Sequence, residues 1–93
     1  MLATIPFNLE KISTHDVDKE LLRAAIIAEL DAVNLYEQMA NLTRSKDLRL
    51  VFLEVAREEK THVGEFQALL LRNDKEQQFE LEKGKEEVDE LLK

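Results

Sequence analysis

Glu29, Glu59 and His62 are the residues whose types and spacing could do chemistry in this chain. Each is a polar side chain standing in an otherwise apolar series. Leu22, Ile26, Glu29, Val33, Tyr36 and Ala40 recur at alternating spacings of four and three, as do Leu48, Phe52, Val55, Glu59, His62, Phe66 and Leu69. That is the stripe of a helix packed at a shallow angle in a bundle. An ionised carboxylate buried without a partner costs several kcal/mol, and two facing each other add repulsion, so such a cluster calls for a cation between them. Arg57 and Lys60 fall off the stripe and should reach solvent rather than neutralise it. Two carboxylates with one imidazole suit iron or manganese, or another divalent metal, better than a thiolate-type zinc site.

The elements that would position these groups are helices. Thr14 can serve as N-cap with Asp16 and Asp18 in the first turn, so a first helix is predicted from about His15 to Leu42. The polar break Thr43-Arg44-Ser45-Lys46 ends it, and Ser45 can cap a second helix to about Arg72. Asn73-Asp74-Lys75-Glu76 has the N-cap and N3 acid of a capping box, opening a third helix that Gly84 is expected to kink or divide. The predicted fold class is all-α. An N-terminal arm (1–13) precedes an antiparallel two-helix hairpin (14–72), and a C-terminal helix (73–93) serves oligomer contacts.

If the hairpin turns at Arg44, Glu29 lies fifteen residues before the turn and Glu59 fifteen after it. At 1.5 Å rise both sit about 22 Å from the bend, at one level. His62 shares a face with Glu59, since residues three apart on a helix are neighbours.

With 93 residues, 44 % apolar and 35 % charged, the chain is one domain at most and too small to be more than marginally stable on its own core. The absence of cysteine excludes a disulfide scaffold, a thiolate metal site and a redox dithiol. Helix packing and partner chains remain. The net charge of -7 disfavours general nucleic-acid or anionic-membrane binding. No apolar run spans a bilayer and MLATIPFNLEK does not read as a secretory leader, so a cytoplasmic location is expected.

Three ligands are too few for two metals. A four-helix di-metal bundle takes one Glu from each of two helices and Glu-x-x-His from each of the other two, and this chain has one of each. A two-fold homodimer would supply four carboxylates and two imidazoles on the symmetry axis. Ile27, Leu30 and Leu35 on the first helix, and Leu50, Leu53 and Leu71 on the second, lie off the stripes. That is more apolar surface than one dimer seam needs and points to further oligomer contacts.

A-E-L-D-A-V-N-L-Y-E-Q-M in the first helix and A-R-E-E-K-T-H-V-G-E-F in the second resemble the rubrerythrin and ferritin-like superfamily over roughly Leu21 to Arg72. A single Glu-x6-Tyr with a single Glu-x-x-His in so short a chain is similar to the encapsulated ferritins. The resemblance implies half-ferritin chains that pair into a four-helix bundle with an inter-subunit ferroxidase site, dimers closed into a ring such as a decamer, and housing in an encapsulin nanocompartment. It assigns Glu29, Glu59 and His62 to the ferroxidase ligands and Tyr36 to the tyrosine beside them. Asp31 and Glu58 fall where the family places iron-attracting acids, although Asp31 is shorter than the usual glutamate. Residues 86–93 read as helix without an obvious shell-targeting peptide, consistent with a trimmed chain, a fusion to the shell protein, or no shell.

The implied activity is oxidation of Fe(II) to Fe(III) by dioxygen for iron storage or detoxification. Two rivals are a rubrerythrin-like di-iron protein reducing peroxide, which would need a separate electron donor, and a non-enzymatic helical assembly module with structural metal. Plainer readings stand beside the sharp ones. Tyr36 is ordinarily core, His15 surface, Met39 packing rather than a haem ligand, and the Glu-Lys runs near the end a solvated helix face.

Overall fold

The computed structural model describes residues 16–93. The arm 1–13, the cap Thr14 and His15 lie outside the described residues. Three α-helices follow in order: α1 (Val17–Leu42), α2 (Lys46–Asn73) and α3 (Lys75–Leu91). Among the described residues there is no strand and no helix long and apolar enough to cross a membrane.

α1 and α2 pack along their length as a hairpin. The turn is short because several groups close it. The Thr43 amide donates to the Met39 carbonyl, and the Ser45 amide to Thr43 Oγ1, each at 3.1 Å. Ser45 Oγ then accepts from the Leu48 amide at 3.2 Å, the capping bond that its residue type leads one to expect. Arg49 reaches back from α2 and donates to the carbonyls of Ala40 (3.2 Å) and Thr43 (3.1 Å), placing its cation where the end of α1 has unpaired carbonyls and negative dipole.

The bend between α2 and α3 differs in detail from the expected capping box. Asp74 is the N-cap, its Oδ1 accepting from the Gln77 amide at 3.0 Å, while Asn73 closes the preceding helix by donating to the Leu69 carbonyl at 2.9 Å. The shorter-range bond of Asn73 to its own helix leaves the next acid to start the new one. Gly84 does not divide α3, which runs through it unbroken; the i→i−4 ladder outweighs the roughly 1 kcal/mol that one glycine costs.

Val33, Ala40, Ala56 and Leu70 are the buried apolar residues among those described. Leu48 and Leu69, both on the α2 stripe, are about half exposed, as is Val51 beside it. The stripe therefore runs along the edge of the hairpin seam and opens outward at its ends. The shape is flat and extended, 46 × 44 × 19 Å with a radius of gyration of 16.5 Å, where a compact domain of this size would have about 12 Å. α3 buries no residue and presents Phe79, Val88 and Leu91 to the outside, and its C-cap Leu92 is exposed as well.

Candidate metal centre

The three-residue turn (43–45) fixes the register of the hairpin, and the register brings Glu29 of α1 level with Glu59 of α2. His62, one turn beyond Glu59, closes the group. His62 Nδ1 lies 3.4 Å from Glu59 Oε2 and 3.5 Å from Glu29 Oε2. Glu29, Glu59 and His62 each offer a donor atom such that all three atoms fall within 4.8 Å of one another. Two donors on opposite sides of one ion at ordinary metal–oxygen distances are about 4.2 Å apart, so the group would close on an ion with only small side-chain adjustment.

The electrostatics of the cluster are unbalanced. The Glu29 and Glu59 side chains are only 20 % and 19 % exposed, and Glu29 Oε2 is buried with no hydrogen-bond partner. An unsatisfied buried carboxylate oxygen is among the costlier defects a small protein can carry. With His62 neutral the group bears two negative charges, and with His62 protonated it still bears one. The nearby cations are engaged elsewhere: Lys60 pairs with Glu37 at 3.1 Å, bridging α2 to α1, and Arg57 pairs with Glu54 along α2. The donor set and the orphaned oxygen both fit an added cation.

The His62 side chain is 43 % exposed, so the cluster opens on one flank, the flank along which Leu48, Val51 and Leu69 are also uncovered. Tyr36, two turns beyond Glu29, stacks on Phe52 of α2 with ring centroids 6.3 Å apart, bracing the seam on the turn side of the cluster. Asp31 is half-buried and Glu58 exposed, and neither belongs to the three-residue group. Residues one or two apart on a helix do not share a face, which keeps Asp31 from joining Glu29 and Glu58 from joining Glu59. Phe52 and Tyr36 both stand on the apolar stripes read from the sequence, whereas Arg49, which clamps the turn, was missed; an arginine four residues after a cap serine was the available signal.

The rubrerythrin family model matches residues 20–92. The chain is 58 % identical over 84 residues, 90 % of its length, to a ferritin-like-encapsulin shell fusion protein from Pyrococcus furiosus, and spans 24 % of that relative's length. It is similar to the crystal structure of the encapsulated ferritin domain from Pyrococcus furiosus, with a TM-score of 0.83, 55 % identity, and coverage of 98 % of this chain and 95 % of that one. A matched family model over most of the chain, and a solved ferritin-like domain over nearly all of it, agree with the helical hairpin: this chain belongs to the rubrerythrin family and has a ferritin-like fold.

Proposed function

We propose that this protein is a ferroxidase whose di-iron site forms between two copies of the chain, each giving Glu29, Glu59 and His62. The observation that carries this reading is Glu29 Oε2, buried, without a hydrogen bond, and directed at a second carboxylate and an imidazole. One chain provides three donors, enough for half of a two-metal site, and its open flank lies beside uncovered apolar residues of α2. Two Fe(II) ions are the substrates. Each gives up one electron to dioxygen, and with two protons the reduced oxygen leaves as hydrogen peroxide.

In this scheme the carboxylates of Glu29 and Glu59 hold Fe(II) and tolerate the added charge of Fe(III), because the cluster is net negative before metal enters. His62 would supply one neutral ring nitrogen as the third donor. Tyr36 packs against Phe52 close enough along α1 to steady the helix carrying Glu29. Asp31 and Glu58 serve as acids that attract iron toward the centre once chains assemble, in keeping with the overall charge of -7. The similarity to a fusion with an encapsulin shell supports a role in iron storage or detoxification inside such a compartment, with the chain fused to the shell or carried as its cargo.

The test is direct. Apo protein mixed with Fe(II) in air should generate Fe(III) absorbance faster than a Glu59→Ala control, and equal rates would return the cluster to a structural role. Running the same reaction with peroxide in place of dioxygen separates the ferroxidase from a peroxide-reducing di-iron protein.

A further inference from the structure

α3 leaves the hairpin through one non-helical residue. Asp74, with φ -141° and ψ 89°, is the only break between Asn73, the last residue of α2, and Lys75, the first of α3. Neither proline nor glycine occurs there, so the local sequence does not forbid a single continuous helix from Lys46 to Leu91. Breaking the ladder forfeits backbone hydrogen bonds on both sides of the break, and something must favour the bent form by more than that loss.

The candidates are few. α3 has no buried residue, meets α2 only near the bend, and its backbone does not come close to α1. Its side chains Gln77 and Leu81 share an open cleft with Ile26, Ile27 and Leu70, with Arg23 at the rim. Among the described residues, Asp74 joins all three helices through its own bonds. Its side chain is 10 % exposed, Oδ1 caps α3 through the Gln77 amide, and Oδ2 accepts a 2.7 Å charge-assisted bond from Arg23 Nη2 of α1. The cap bond cannot exist in a continuous helix, where the Gln77 amide would bond to the Asn73 carbonyl. The bond to Arg23 requires the carboxylate to turn back over the hairpin.

We propose that Asp74 and Arg23 form the latch of a two-state hinge, holding α3 at a fixed angle to the hairpin against an alternative in which α2 and α3 run on as one helix. The latch acts through the geometry of a charged pair rather than through packing. Removing Arg23 leaves the cap intact and should still release α3.

The absence of cysteine makes the test clean. Asn34→Cys on α1 and Glu87→Cys on α3, both exposed positions, accept spin labels in the full chain, and dilution with unlabelled protein isolates the intrachain distance. Arg23→Gln and Asp74→Asn should shift the distance distribution outward by roughly 10 Å, or add a second peak there, with helical content maintained. Asp74→Leu, which removes latch and cap together, should populate the long distance most. Distributions that superimpose on the parent in both Arg23→Gln and Asp74→Asn would overturn the proposal, even if Asp74→Leu moves α3, because the cap alone would then set the bend.

Discussion

His62 Nδ1 on α2 lies 3.5 Å from Glu29 Oε2 on α1, and the glutamate oxygen at that distance is buried without a hydrogen bond. The pair spans the hairpin seam, so its geometry depends on the turn some 20 Å away and on Arg49, which clamps that turn.

Metal should stabilise the fold as well as react on it. Fe(II) or Mn(II) at a hundredfold excess over the dissociation constant should contribute about 2.7 kcal/mol of apparent stability, visible as a raised thermal midpoint under anaerobic conditions. Glu29→Gln should abolish most of that gain while leaving the apo protein as stable as the parent or more so, since it removes an unsatisfied buried charge. A metal-induced shift that survives in Glu29→Gln would place the ion elsewhere.

Iron oxidation should require assembly. Val51 is exposed on the flank beside the Glu59 and His62 stripe, and Val51→Lys should lower Fe(II) oxidation at least tenfold while helical content by circular dichroism stays near the parent's. Sedimentation of the same samples tells whether lost activity tracks lost pairing. Full turnover by a monomeric variant would contradict the inter-chain site.

Asp74 gives a pH dependence with a defined sign. The Gln77 amide lowers its pKa most, burial opposes this, and the Arg23 hydrogen bond and the charges of Lys19 and Arg23 complete a net depression below the ordinary value of 3.8. A carboxyl with a lowered native pKa contributes stability that is complete above its unfolded value and fades as pH falls through the native one. Asp74→Asn should therefore melt below the parent at neutral pH, and the gap should narrow only under acid conditions below about pH 4. A constant gap across that range would mean the carboxylate charge is not what stabilises the bend.

Glycine substitutions probe what lies outside a single chain. Gly64 and Gly84 both sit within helices, and a Cβ at either would meet nothing within 4 Å. Gly84→Ala should stabilise the protein by roughly 0.5–1 kcal/mol in thermal unfolding. Gly64→Ala should do the same unless another copy's helix approaches α2 there, in which case the gain would turn into a loss that grows with protein concentration.

The helices and the level of the metal-ligand candidates were legible because one rule covers both. A stripe repeating every three or four residues defines a helix face, and equal distances from a polar break define a common depth, which is how Glu29, Glu59 and His62 emerged together. Three things were not legible. The capping box read from the sequence puts the N-cap of α3 at Asn73, whereas Asp74 takes it, because Asn73 bonds back to Leu69 and residue types do not rank that bond. The pairing of Arg23 with Asp74 joins positions far apart in sequence that no periodicity links. Finally, the stripe residues Leu48 and Leu69 read as core, yet lie half uncovered, because a periodic pattern cannot say whether its neighbour belongs to the same molecule.

Among the described residues the core is Val33, Ala40, Ala56 and Leu70, which is small for hairpin arms this long. Such a chain has little apolar burial of its own to offset the entropy of ordering. If copies pair as proposed, dilution should act on it as a denaturant does, and its melting temperature should follow how much protein is in the tube.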